Sequence, residues 1–166
     1  MAVGPISVQD LYLGSIITVH SRQLKIVDYG DIFTKDKFEA AAGRTFAMVK
    51  PDCYTQTGKI IDAIYANGFI ISKLKMSKFT KPQQADDFYE QHKGKPFFSD
   101  LNTYMQSDVV TGMELVKEDG VNSFRGLIGP TNSQDAKKEA PYTLRAMFGA
   151  DAMRNGIHGS ATGADY

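Results

Sequence analysis

Between Gly43 and Gly149 the apolar residues change spacing in a regular alternation, and this limits the architectures open to the chain. Phe46-Ala47-Met48-Val49 is a short, continuous apolar run, the pattern of a strand buried on both faces. Ile60, Ile61, Ile64 and Tyr65 follow at helical spacing, and Asn67-Gly68 supplies a left-handed stop. Residues 69–78 read as a second strand. Ala85, Phe88, Tyr89 and His92 then fall at i, i+3, i+4 and i+7, which predicts a helix opening near Pro82. Phe97, Phe98, Leu101, Tyr104 and Met105 form another apolar helix face after Pro96. Residues 109–116 read as a third strand. Val121, Phe124 and Ile128 give a short helix stopped by Gly129-Pro130, and Leu144, Met147 and Phe148 give one more turn, ended by Gly149. The tail from Arg154, rich in Gly and small polar residues, reads as loop. This order predicts an α+β domain, a small sheet with helices covering one face. A ferredoxin-like antiparallel sheet fits better than a doubly wound one, because only one crossover is a simple strand-helix-strand unit.

Residues 1–42 read differently. Runs at 16–20 and 24–28 are β-prone and joined by Ser21-Arg22-Gln23, which predicts a hairpin, with His20 as a surface strand residue. Tyr29-Gly30-Asp31 closes it, and residues 34–42 form one weak helix or a linker. Two strands rarely stand alone in water, so this piece either packs on the following domain or is a remnant of a larger one. The expected division is therefore 1–42 and 43–166.

Composition narrows the function classes. Of 166 residues 42% are hydrophobic and 11% aromatic, enough for a packed core. Nineteen basic residues offset nineteen acidic ones, so no global field draws the chain to nucleic acid or an anionic membrane, and phosphate affinity requires a few placed cations. A single cysteine, Cys53, excludes an intrachain disulfide and suits a reducing compartment. No apolar run approaches the roughly 18 residues of a membrane span, and the chain opens without a signal pattern. A soluble, cytoplasmic protein is expected.

Gly58-Lys59 invites a phosphate-loop reading, but a Walker A loop needs Gly where Cys53 stands and Ser or Thr where Ile60 stands. No Cys or His cluster has metal-ligand spacing, and no nucleophile elbow is present. Lys50 ends an apolar strand and is followed by Pro51-Asp52, so it is either a solvated strand-end lysine or an ammonium aimed where α/β proteins collect ligands. His92 continues the Ala85-Phe88-Tyr89 stripe and reads as a packing residue. His158 sits among small residues in Arg154-Asn155-Gly156-Ile157-His158-Gly159-Ser160. It is either an ordinary loop histidine or an accessible imidazole able to attack a phosphoryl group.

Taken in order, Arg44 through Asp52, Lys95-Pro96-Phe97-Phe98, Arg125 through Asn132, Arg145, and Arg154 through Ser160 resemble the nucleoside diphosphate kinases. The resemblance implies a ferredoxin-like phosphotransferase. In it His158 takes the γ-phosphoryl of a nucleoside triphosphate and passes it to a nucleoside diphosphate, in ping-pong order. By the same resemblance Lys50 neutralises phosphate charge and touches the ribose, and Asn155 holds the ribose hydroxyls. Tyr89 lies beside the lysine and the transferred group, and Arg125, Thr131 and Arg145 clamp the phosphates. Phe97 stacks on the base with Leu101 at its edge, and Ser160 is a supporting residue. Mg2+ is implied as cofactor, held mainly by the phosphates.

The leader carries its own resemblance. Leu11-Tyr12-Leu13-Gly14, Ser21-Arg22-Gln23-Leu24 and Asp28-Tyr29-Gly30-Asp31 look like the end of the DM-type domain that precedes the kinase domain in flagellar members. Cys53 replaces the family's Gly after Lys-Pro-Asp, and the turn between Asp52 and Gly58 is short, as in that branch. This implies a cilium or flagellum setting with axonemal, microtubule-associated partners. A homo-oligomer is implied too, although the segment between Asn132 and Arg145 is a few residues longer where housekeeping members build their assembly loop. Ala161 replaces the family's Asp, and the glutamate expected to orient the histidine falls past Tyr166, so the kinase-like domain reads as incomplete. The alternative is a nucleotide-binding structural module of a ciliary assembly with weak or no turnover.

Overall fold

The computed structural model describes residues 6–7, 10–34 and 43–160, and its backbone falls into two units, Met1–Ala41 and Ala42–Tyr166. In the first, β1 (Ile16–Val19) and β2 (Arg22–Lys25) pair antiparallel, with Val19 opposite Arg22 as the innermost rung. Only His20 and Ser21 are left for the turn, with φ of 47° and 63°. Left-handed backbone at both positions suits a two-residue hairpin turn, whose twist matches that of the strands. The turn is therefore tighter than expected: Arg22 and Gln23 join β2, and His20 leaves the strand for the turn. The pairing runs on through Gly14 N–H to Ile26 O (2.7 Å) and Ile26 N–H to Ser15 O (2.9 Å). Residues 35–42, most of the expected helix or linker, lie outside the described residues.

The second unit runs β3 (Arg44–Val49), a 3₁₀ turn Pro51–Gln56, α1 (Thr57–Ala66), β4 (Ile70–Lys78), α2 (Pro82–Phe88), α3 (Phe98–Met105) and β5 (Val109–Val116). It continues with α4 (Gly120–Ile128), α5 (Ser133–Glu139), α6 (Leu144–Phe148) and β6 (Ile157–Gly159). The sheet order is β4-β5-β3-β6 with every neighbouring pair antiparallel, the ferredoxin-like arrangement expected.

The continuous apolar run in β3 has a cause that the pattern left half-read. Ala47 and Val49 face one side, where they pack with Met113 and Leu115 of β5, Ile60 and Ile64 of α1, and Phe124 and Ile128 of α4. Met48 faces the other, among Val110 of β5 and Ala85, Tyr89, Leu101 and Met105 of the α2–α3 hairpin. Helices thus cover both faces, not one, because a strand apolar at every position needs cover on each side.

Two elements escape the periodicity. β6 (Ile157–Gly159) is three residues long and preceded by Gly156, too short to show alternation, yet it pairs Val49 with Ile157, Met48 with His158 and Ala47 with Gly159. α5 buries only Ser133 and Ala136. Its small residues leave no apolar stripe, although the Asn132 side chain caps it by accepting from Gln134 N–H (3.0 Å).

Ile64, wholly buried against β3 and β5, tests the larger core. Ile64→Ala should lower stability by about 2–5 kcal/mol, read as a lower urea midpoint at unchanged slope.

Candidate active site

Pro51 ends β3: it has no N–H to offer a ladder, and its ring holds the preceding Lys50 extended (φ −82°, ψ 166°) at the carboxyl end of the strand. Lys50 N–H donates to Gly156 O (2.9 Å), and the Nζ donates to Met153 O (3.2 Å). The ammonium is thereby fixed to the turn that leads into β6. Gly156 has φ +78°, a conformation that favours glycine and that turns the chain between Asn155 and Ile157.

These elements meet around a cavity of about 720 Å³. Its lining includes Lys50, Tyr89, Phe97, Leu101, Arg125, Thr131, Arg145, Asn155 and His158, so every expected site residue except Ser160 reaches it. Ser160 is buried beyond the lining, where its N–H donates to Phe46 O (3.1 Å). Gln91, His92, Met153 and the Ile128-Gly129-Pro130 turn also line the cavity, without having been expected there. His92 belongs to a 3₁₀ turn (Glu90–His92) beyond the end of α2, so the i+7 reading carried one helix stripe past its real end. Gly129-Pro130 reads in the sequence as a helix stop inside the Arg125–Asn132 block, and that block carries the signal for its place at the cavity.

A row of rings forms one wall. His158 stands edge-on to Tyr89 (6.0 Å between centroids), and Tyr89 stacks on His92 (6.0 Å, 23°). His92 leans on Phe97 (5.6 Å), which is 44% exposed. Behind His158 lies the Phe88 ring at 5.2 Å. Tyr89 is buried, and that burial holds its phenol well above the ordinary tyrosine range.

The rest of the lining is rich in cations. Arg145 donates from Nη1 to Gly129 O (2.8 Å) and from Nε to Ile157 O (3.2 Å), which aims the rest of its fork into the cavity. Gly129 makes room for this part of the lining: at φ +78°, a Cβ there would lie 2.4 Å from Thr143 Oγ1. Asn155 donates to Thr131 O (2.9 Å) and Ala152 O (3.0 Å), while its buried Oδ1 accepts no hydrogen bond from the described residues. Burial first, then the Arg145 charge, draws Lys50 from 10.5 down to about 8, against the pull of Asp52 and Asp151. Burial and the Arg125 charge lower Arg145 to about 10.

Lys50, Arg125 and Arg145 thus converge on a cavity whose described lining includes no carboxylate. Such a site selects an anion. Among the described residues no group of three His, Cys, Asp or Glu is placed to hold one. These residues fit a cation carried in on a phosphate chain and not one caged by side chains.

The sequence model of the family "Nucleoside diphosphate kinase" matches residues 43–166. The chain belongs to the nucleoside diphosphate kinase family. It is 43% identical over 122 residues to a nucleoside diphosphate kinase of Aquifex aeolicus, covering 72% of this chain and 85% of that protein. The solved structure of the Aquifex aeolicus kinase superposes with a TM-score of 0.72 at 41% identity, over 75% of this chain and 89% of that one. A Halobacterium salinarum nucleoside diphosphate kinase solved in complex with CDP gives 0.67 at 35%, over 72% and 77%. Nucleoside diphosphate kinase homolog 7 of Rattus norvegicus is 39% identical over 155 residues, 93% of this chain. That match is too long to fit within 43–166, so it runs into the leader. This chain spans 39% of the rat protein's length.

The charge of Lys50 is the titratable part of the anion site. An anion binds its protonated form, so affinity for pyrophosphate should fall as pH rises through about 8, where the empty site loses that proton. Lys50→Arg, whose charge does not titrate there, should flatten the fall, as read by calorimetry on either side of that pH.

Proposed function

We propose that this chain is a nucleoside diphosphate kinase acting through a phosphohistidine on His158. The observation that carries the reading is that His158 shares one cavity with Lys50, Arg125 and Arg145 and with no carboxylate among the described lining. An imidazole nitrogen of His158 attacks the γ-phosphorus of a nucleoside triphosphate. The new N–P bond forms as the bond from that phosphorus to the β–γ bridging oxygen breaks, and the nucleoside diphosphate leaves. A second diphosphate then attacks the phosphohistidine by its terminal oxygen and restores the imidazole.

The three cations supply the electrostatic stabilisation that phosphoryl transfer chiefly needs, with Thr131 at the phosphates. Tyr89, edge-on to His158, limits the imidazole's freedom beside the transferred group. The unpaired Asn155 Oδ1 is an acceptor suited to a ribose hydroxyl. Phe97 offers an exposed ring face to any base, with Leu101 at its edge. Ser160 supports the site by tying the end of β6 to β3 through Phe46. A magnesium ion carried in on the nucleotide would be held mainly by the phosphates, and would supply neutralisation of part of their charge beside Lys50, Arg125 and Arg145.

A second reading is a nucleotide-holding structural module of a ciliary or flagellar assembly, oligomeric and with little turnover. What favours it is the rat homolog 7 match, which reaches into the leader and leaves three-fifths of that protein uncovered. Among the described residues no helix is long and apolar enough to cross a membrane.

Incubation with γ-labelled ATP should place acid-labile label on the wild type and none on His158→Ala. Both proteins should bind ADP within about twofold of each other, since the imidazole contributes to transfer more than to holding the nucleotide. Equal ADP binding with no label on the wild type supports the module; absence of ADP binding rejects both readings.

A further inference from the structure

We propose that Tyr104, acting through Asp52, is a positioning residue that ties the base-side wall of the cavity to the strand carrying His158. The proposal rests on the nucleotide reading above. Asp52 opens the turn after Lys50 and uses both carboxylate oxygens across two other elements. Tyr104 Oη donates to Oδ1 at 2.5 Å, and Gly156 N–H donates to Oδ2 at 3.1 Å. Because Lys50 N–H also donates to Gly156 O, Gly156 is held through both its N–H and its carbonyl, between Asn155 and the first residue of β6.

Tyr104 stands on α3 one turn beyond Leu101, and Phe97 is the N-cap of the same helix. One carboxylate therefore joins the helix that bears the base-side wall to the turn that bears Asn155 and leads into the strand of His158. Burial and the Asp52 carboxylate beside it keep the Tyr104 phenol far above its usual range, so the hydroxyl stays a donor. The neighbouring Cys53 thiol, pushed up to about 12 by burial and then by Asp52, adds no competing anion. The Arg154 guanidinium lies over the Tyr104 ring, 5.9 Å from its centre.

A consequence separates positioning from mere support. A nucleotide spans both the base-side wall and the cations, and feels the spacing that Asp52 sets between them. Inorganic triphosphate occupies only the phosphate end of the cavity and makes no contact with the α3 wall, so its binding is indifferent to where α3 sits. Tyr104→Phe keeps the ring and removes the one hydrogen bond.

Calorimetric titration of ADP and of inorganic triphosphate, on wild type and Tyr104→Phe, reads the difference. ADP should bind about tenfold more weakly to the variant, and triphosphate within about twofold of wild type. With Asp52→Asn as the background, adding Tyr104→Phe should cost no further ADP affinity, because the two residues act along one path. Equal loss for both ligands, no loss for either, or the same cost of Tyr104→Phe with and without Asp52 overturns the proposal. Wild type that binds triphosphate but not ADP overturns the nucleotide reading, and this inference with it.

Discussion

Three rungs of antiparallel pairing between β3 and β6 hold the site together. Val49 faces Ile157 and Met48 faces His158, so the lysine that follows Val49 and the histidine beyond Gly156 become neighbours despite their separation in sequence. The register also decides what surrounds the histidine. Because His158 sits opposite Met48, its side chain shares the face of the α2–α3 hairpin core and meets Phe46, Phe88 and Tyr89. A slip of one residue would send that imidazole to the face packed by α1 and α4, and bring Ile157 to the cavity. Asp52 and Lys50 guard against the slip, since both grip Gly156 just before the strand begins.

The same pairing explains what could be read from the sequence and what could not. Strands and helices with their own apolar period were legible: β4, β5, α1 and α4 lie within a residue or two of where spacing places them. β6 was not, because its only reason to be a strand is the free edge of β3, which no local pattern encodes. α5 has Ser and Ala where a stripe would need larger side chains. The second helical face was hidden in plain sight, since a run of four apolar residues states how much is buried and not by what. For the site, family-like motifs picked out the charged and aromatic side chains that line the cavity. They were silent on Gln91, His92 and Met153, whose place at the cavity follows from where α2 stops and how the hairpin edge opens. Spacing on a helix tells which side chains turn inward; whether they meet a core or a cavity depends on the neighbouring element. Tyr89 and Leu101 meet both.

The electrostatics give this geometry its direction. Bringing Lys50, Arg125 and Arg145 to one cavity runs against mutual repulsion and against the loss of water around Lys50 and Arg145, and both effects lower the pKa of those two residues. Packing alone would not maintain such a cluster without a counter-charge. Asp52 and Asp151 oppose the shift of Lys50 from behind, but the described cavity lining holds no acid. Two of the Arg145 donors are spent on backbone carbonyls, so the guanidinium cannot swing away to relieve the repulsion. The remaining relief is an anion with several charges spaced to meet several cations at once. A phosphate chain satisfies that condition better than a single carboxylate does, because its charges repeat along the chain as the cations do along the cavity.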